Sequence, residues 1–459
     1  MISRDQYDVA IIGGGILGIS IAYFLSSIAH PSKKILLVEQ EHDVAFHTSA
    51  RNTGKVHAPF LYDPIRQTLF ARAAFIGFNM LKEYCNLKSL PFKQDGVLQV
   101  ATYDKGIDRL HKYIEWGYSN GLQKDELKFL DKREVFDFEP HVKCLSAIYC
   151  SKDGSVDYEV ITKELMEDAK KFGCKIITDT KLVKVLGDTK NDHVVLGTNK
   201  GQFFTKYLVN TAGGGAMDIS HRIGLAKEYT DLHFRGEYWQ APEEFHDLTK
   251  ISIYSVPKYP EYPFLDPHWI VRVDGRREIG PNAVPVFSPY AYNWSTNLRY
   301  FIPKLFESYS RTGARKILLN RRFLSLASNE LKSCLSKTAM INRAREFLPE
   351  IRPSLFSKRG TAGIRSILVD NNGKFVGDTL IIKNDYSLNV LNYNSPGATG
   401  SLPLAALITH ELIADGIISS TSSPFSLNAN SRKKSIWDAT TIADQMRLAN
   451  DDGVGINYH

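Results

Sequence analysis

The hydrophobic period of this chain changes several times, and each change marks an element. Tyr7-Asp8-Val9-Ala10-Ile11-Ile12 is an apolar run of strand length; Gly13-Gly14-Gly15 interrupts it, residues from Ile16 onward read as helix, and Lys34-Ile35-Leu36-Leu37-Val38 reads as a second strand. A polar stretch over 40–62 follows. Asp63 is then a suitable N-cap with Pro64 at the first helical position, and apolar residues recur at helical spacing through Leu69, Ala73, Ile76, Phe78 and Leu81. Strand-like segments lie at 96–101, 146–150, 174–178, 182–186, 193–197 and 207–210, with Asp157 capping a helix that ends near Gly173. Over 232–285 aromatic and polar residues alternate, which predicts an antiparallel sheet with one wet face. Residues 297–345 read as helices, 386–391 as a strand, and 402–413 as a helix behind another glycine turn.

The first glycine turn carries chemistry. Gly13 permits a tight turn, Gly15 lets backbone approach a pyrophosphate, and Gly18 lets the helix pack closely on the strand. The exposed N–H groups and positive end of that helix then meet the pyrophosphate. Glu39 ends the second strand, where an acid accepts hydrogen bonds from the adenosine ribose and disfavours the 2′-phosphate of NADP. Gly13, Gly15, Ile16, Gly18, Glu39 and Gln40 are the candidate contacts at this end.

Two similar junctions lie far downstream, Val209-Asn210-Thr211-Ala212-Gly213-Gly214-Gly215 and Asn394-Ser395-Pro396-Gly397-Ala398-Thr399-Gly400-Ser401. A plain NAD domain is contiguous, whereas turns drawn from both ends of the chain demand a larger cofactor, FAD, in a split domain. The last helix N-terminus suits the negative charge that a reduced flavin carries near N1 and O2. Ala212, Gly213, Pro396, Gly397, Ala398 and Thr399 therefore join the cofactor candidates, and Gly363, from the separate run 359–365, is set with them. The expected fold is α/β (α+β): a split Rossmann-type FAD-binding domain from 1–90, 146–230 and 355–416, a mixed or antiparallel-sheet substrate domain from 91–145 and 231–354, and a polar C-terminal tail over 417–459.

Composition narrows the class without altering that picture. With 459 residues, 43% hydrophobic and 23% charged, the chain has room for two or three globular domains. The longest apolar stretches, 11–25 and 402–418, are broken by glycine, proline or charge, so no bilayer span is expected. A first strand at Tyr7 leaves no room for a leader ahead of it, and cytoplasmic residence is the expectation. The net charge of +7 suits an acidic substrate and leaves room for peripheral contact with an anionic membrane surface. The basic pieces Lys170-Lys171 and Arg432-Lys433-Lys434 read as solvated faces. Cys85, Cys144, Cys150, Cys174 and Cys334 form no CxxC pair and no zinc spacing with histidine, so reduced thiols and no metal are expected. There is no nucleic-acid module.

Several runs in order give the chain a family likeness: residues 7–18, Arg51-Asn52-Thr53-Gly54-Lys55-Val56-His57, Gly154-Ser155-Val156-Asp157-Tyr158, Phe234-Arg235-Gly236-Glu237-Tyr238, Gly280-Pro281-Asn282-Ala283-Val284, Arg359-Gly360-Thr361-Ala362-Gly363-Ile364-Arg365, and 394–399. In these it resembles the D-amino-acid-oxidase-like flavoproteins, and among them most the L-2-hydroxyglutarate dehydrogenase/oxidase family, over residues 7–415. The resemblance implies oxidation of a small 2-hydroxy acid, L-2-hydroxyglutarate first, to the 2-oxo acid, with electrons leaving FAD for a quinone-linked chain or oxygen. The chain departs from the family at Arg51, where a histidine is usual, and in Ala58-Pro59-Phe60-Leu61-Tyr62, which replaces a glycine and paired tyrosines.

Oxidising a 2-hydroxy acid requires a base for the hydroxyl proton and cations for the carboxylate. His57, in the loop that the resemblance sets beside the flavin ring, and His268, in the aromatic sheet region, are the candidate bases. Arg235, Arg272 and Arg365 are candidate carboxylate clamps, since guanidinium binds carboxylate bidentately. Tyr238 and Asn282 are candidate hydrogen-bonding partners of the substrate. Arg51, Asn52, Thr53 and Gly54 are assigned to the flavin. Competing readings are an FAD-dependent amine or amino-acid oxidase, a glycerol-3-phosphate dehydrogenase, a simple NAD dehydrogenase, and a nucleotide-binding module without catalysis.

Overall fold

Strand β1 (Gln6–Ile12) is almost wholly buried because it has a strand on each side and packed layers above and below. It pairs in parallel with β2 (Ile35–Val38) and with Gly201–Asn210; β2 pairs in parallel with Lys175–Ile177, and Ser387–Leu391 runs parallel beside Gly201–Asn210. Antiparallel strands Leu182–Asp188, His193–Thr198 and Leu380–Asn384 complete an eight-stranded sheet. Helices α1 (Ile16–Ile28), Tyr158–Lys171 and Ser401–Ala414 share one core with it, through Ile19, Phe24, Leu165, Leu404 and Ile408. Because the parallel strands point the same way, the turns after β1, Asn210 and Leu391 emerge at one edge, the place where open α/β sheets bind ligands. The computed structural model describes residues 6–188, 193–262, 266–420 and 435–447, so the run Arg432-Lys433-Lys434 lies outside it.

A seven-stranded sheet takes the order Trp239–Gln240, Arg277–Gly280, His268–Val271, Ser252–Ser255, Val97–Ala101, Ser146–Cys150, Leu127–Asp131. Its pairs are antiparallel except Ser252–Ser255 beside Val97–Ala101. Ser146–Cys150, assigned by sequence to the nucleotide-binding side, belongs to this sheet. Nor does the sheet have the wet face that its alternation predicts. Leu98, Val100, Ile253, Trp269 and Val271 enter one core with Ile341 and Phe347, while Val97, Ala101, Tyr254 and Ile270 enter another with Leu110 and Phe60. The helix Asp104–Ser119, which carries Leu110, covers the second side. A small antiparallel sheet, Val284–Val286, Tyr229–Gly236 and Gly363–Asp370, sets Phe234 opposite Arg365.

Two further departures have tertiary causes. Asp63 caps only the turn that holds Ile65 and Arg66, and the helix proper is Thr68–Lys88; its first free N–H groups, on Leu69 and Phe70, donate to the carboxylate of Asp378. Within the expected polar tail, residues 435–447 include the helix Ala439–Arg447, and Trp437 packs against Tyr23, Phe24 and Tyr84 with its indole N–H on Glu83.

Candidate active site

The turn after β1 is built as its glycines require. Gly13 adopts φ +107°, and a side chain there would strike the Thr211 carbonyl; one at Gly18 would strike the carbonyl of Gly13. Gly15 and Gly213 instead open on free space, the first limited only by the Ser49 hydroxyl. The carboxylate of Glu39 accepts from the N–H of Gly14 and, at 2.8 Å, from that of Glu41, which fixes it at the end of β2; burial raises its pKa against these bonds. Ser49 accepts from the N–H of Ile16. The polar loop is thus tied to the glycine turn at several points.

A cavity of about 700 Å³ runs from this turn along the sheet edge to the seven-stranded sheet. Of the cofactor candidates, Gly13, Gly15, Ile16, Glu39, Gln40, Arg51, Asn52, Thr53, Ala212, Gly213, Gly363, Pro396, Gly397, Ala398 and Thr399 line it. Gly18 lies beneath the turn, and Gly54, at φ +70°, serves the bend that Asn52 closes by accepting its N–H. Arg51 stacks over the Tyr292 ring, 4.4 Å from its centroid. The open cradles at Gly15 and Gly213, the fixed acid at β2 and two helix N-termini on one cavity fit the pyrophosphate, ribose and ring of FAD.

His57, His268, Tyr238, Asn282 and Arg365 line the other end. The backbone N–H of His57 donates to the Thr399 hydroxyl at 3.1 Å, and that hydroxyl also meets the Tyr158 hydroxyl at 3.0 Å, so the third turn holds the histidine's strand. Nδ1 of His57 is buried 4.0 Å from a carboxylate oxygen of Asp153, itself buried with Lys55 between it and Asp95. Burial raises Asp153 to about 6 although Lys55 opposes the rise. Burial, helped by the charges of Lys55, His268 and Arg365, holds His57 down to about 3, and burial holds His268 at about 4. Both rings are neutral near pH 7.

Arg365 faces the cavity because it pairs across the small sheet with Phe234, which lines it too. Among the described residues no carboxylate pairs with it, and burial lowers its pKa. Arg235 and Arg272, expected as further clamps, are committed elsewhere. Strand alternation turns Arg235 away from the side of Phe234, onto Glu237 at 2.9 Å and the carbonyls of Ala291 and Tyr292. Arg272 lies past the end of its strand and pairs with the buried Glu278 at 2.6 Å. Asn282 uses its amide oxygen on the N–H of Glu237. Tyr254 was not anticipated: its ring lies 4.3 Å from that of His268, it lines the cavity, and its buried hydroxyl has no partner among the described residues. Lys55 lies inside the run 51–57 and Asp153 immediately precedes the run 154–158, but nothing in the sequence marks their mutual contact.

A family model described as FAD dependent oxidoreductase (DAO) matches residues 8–411. An L-2-hydroxyglutarate dehydrogenase of Caenorhabditis briggsae, named as mitochondrial, is 32% identical and covers 90% of this chain and 94% of its own. That of the bacterium Indibacter alkaliphilus is 31% identical, covering 88% and 98%. Among solved structures, the dithionite-reduced L-alpha-glycerophosphate oxidase of Mycoplasma pneumoniae with FAD bound superposes with a TM-score of 0.69 at 19% identity over 94% of this chain and all of that one. Glycine oxidase from Geobacillus kaustophilus gives 0.64 at 17% identity, covering 93% and 99%. The structural likeness concerns the fold, while the sequence match extends from β1 into the helix behind the third glycine turn: the chain belongs to the FAD dependent oxidoreductase (DAO) family and is an enzyme with FAD as its cofactor.

Proposed function

We propose that the enzyme oxidises a small 2-hydroxy acid, L-2-hydroxyglutarate before others, to the 2-oxo acid and passes the electrons to a quinone or to oxygen. The observation that carries this reading is Arg365, a half-buried cation facing the cavity with no carboxylate of its own among the described residues, beside two neutral histidines. The relatives named L-2-hydroxyglutarate dehydrogenase support the choice of substrate.

In this mechanism Arg365 binds the substrate carboxylate through its guanidinium fork. His57, whose buried Nδ1 leaves Nε2 as the nitrogen open to substrate, takes the hydroxyl proton; His268, buried at Nδ1 in the same way, is the second candidate. Bound FAD supplies the acceptor for the hydride that leaves Cα. Carboxylate binding offsets the charge of Arg365, one of the causes that depress both histidines, so each becomes a stronger base once substrate is present. The Tyr254 hydroxyl provides a hydrogen bond to a substrate oxygen.

Anaerobic mixing of the FAD-loaded enzyme with a panel of 2-hydroxy acids, amino acids and glycerol 3-phosphate tests the proposal. Loss of the oxidised-flavin absorbance is expected with L-2-hydroxyglutarate and not with its D-enantiomer. Reduction by amino acids or glycerol 3-phosphate alone would overturn it.

A further inference from the structure

Six lysines and arginines line the cavity, and most are already occupied or lie at its nucleotide end. Arg51 stacks on Tyr292, Arg222 donates to the Val183 carbonyl, and Lys55 is paired with Asp95 and Asp153. Lys181 follows Thr180, whose N–H bonds to the carbonyl of Glu39 beside the glycine turn. Two guanidinium groups remain, Arg365 and Arg109, and among the described residues neither has a carboxylate or a hydrogen-bond partner. A cation set in the wall of a partly dry cavity without a counter-charge is costly unless a ligand brings one.

The helix Asp104–Ser119 explains how Arg109 is held. Gly106, Leu110, Tyr113 and Gly117 recur at helical spacing and form its buried face. Arg109 is half-buried beside that face, with its guanidinium 5.8 Å from the centre of the Tyr113 ring and 5.7 Å from that of Trp116. Both rings line the cavity too. Such packing holds a guanidinium by its flat face and leaves the N–H groups at its edge for a ligand. The Asn120 amide donates to the carbonyls of Pro59 and Tyr62, each at 2.9 Å, and so ties the end of this helix to the loop that carries Tyr62. The Tyr62 hydroxyl is within electrostatic reach of both Arg365 and Tyr113, so tyrosines span the space between the two cations. A ligand with one acid group leaves one of these cations unmatched, whereas a carboxylate at each end matches both. We propose that Arg109 binds the second carboxylate of the substrate, so that the cavity selects dicarboxylic over monocarboxylic 2-hydroxy acids. The inference rests on the 2-hydroxy-acid reading and on Arg365 as the clamp for the carboxylate next to the reacting carbon.

Two measurements on the FAD-loaded full chain test it, one without turnover. Glutarate and valerate share a five-carbon skeleton and lack the hydroxyl, and their binding is read from the perturbed absorbance of the oxidised flavin. The wild type should bind glutarate at least roughly tenfold more tightly than valerate, and Arg109→Gln should lose that preference. Arg109→Lys keeps the charge and should keep part of it, whereas a residue that only packs against Tyr113 and Trp116 would make the two variants alike. In anaerobic flavin reduction, the ratio of kcat/KM for L-2-hydroxyglutarate over L-2-hydroxyvalerate should fall at least roughly tenfold in Arg109→Gln. Equal binding of glutarate and valerate by the wild type, or a preference undiminished in Arg109→Gln, overturns the inference and leaves the reaction assignment standing. Failure of both hydroxy acids to reduce the wild-type flavin overturns the reaction assignment, and the glutarate titration still decides the role of Arg109.

Discussion

Two arginines that look alike in the sequence should respond to one substitution with opposite signs. Arg235→Met removes the 2.9 Å partner of Glu237 and the donors to the Ala291 and Tyr292 carbonyls, in a setting where the arginine is 2% exposed. Breaking a buried pair by removing one partner costs about 3–5 kcal/mol. The lower end applies, because Arg359 stays 3.4 Å from Glu237. Arg365→Met strands no carboxylate of the described chain and relieves a desolvated charge, so folding stability should stay level or rise by about 1 kcal/mol. What it removes is the partner of the substrate carboxylate, a loss of about 3–5 kcal/mol, or roughly two to three and a half decades in kcat/KM. Urea unfolding at a fixed excess of FAD measures the first quantity and anaerobic flavin reduction against substrate concentration the second. If Arg365→Met destabilises the fold as much as Arg235→Met, or reacts with unchanged kcat/KM, Arg365 is a structural cation and the substrate assignment loses its anchor.

His57→Ala should slow flavin reduction by about 10²–10⁴-fold with FAD retained, read by stopped-flow absorbance; unchanged reduction kinetics would transfer the base to His268. Glu39→Ala leaves the Gly14 and Glu41 N–H groups without their acceptor, and the FAD dissociation constant measured by fluorescence titration should rise roughly tenfold or more. A base must be neutral to act, and His57 and His268 are held at about 3 and about 4, so falling pH should not remove the base until those values are approached. In kcat/KM, an acid limb at about 6 is expected only from Asp153 and should vanish in Asp153→Asn; one at the ordinary histidine value of about 6.5 that survives that substitution refutes the burial argument. Trp437→Ala should cost about 3 kcal/mol by urea unfolding, because the ring fills a gap among Tyr23, Phe24 and Tyr84.

Where a residue's role depends on its own strand, the sequence was a sufficient guide. The glycines at 13, 15 and 18, the acid at 39 and the cap at Asp157 answer to local geometry, and the structure has each in the expected setting. Roles set by a distant partner were not legible. Asp378 caps a helix more than 300 positions earlier, and Glu237 and Glu278 occupy the guanidinium groups that pattern alone offered to a substrate. The one clamp candidate left open to the cavity, Arg365, is distinguished from Arg235 by which side of a sheet it faces, and that side is fixed by pairing between strands far apart in sequence. Tyr254 was hidden for a related reason: it sits in a strand whose neighbour, Val97–Ala101, arrives in parallel from the other half of the chain.

The hydrogen bond from His57 to Thr399 joins positions 342 residues apart, and it has a bearing on how the enzyme is made. During synthesis β1 and its glycine turn emerge first, but the parallel neighbour Gly201–Asn210 follows only when nearly half the chain is out, and Ser387–Leu391 later still. An N-terminal fragment therefore owns the opening motif without the edge it belongs to. The cavity wall is complete, and the backbone of His57 is tied to Thr399, only when the last strand and its helix are in place.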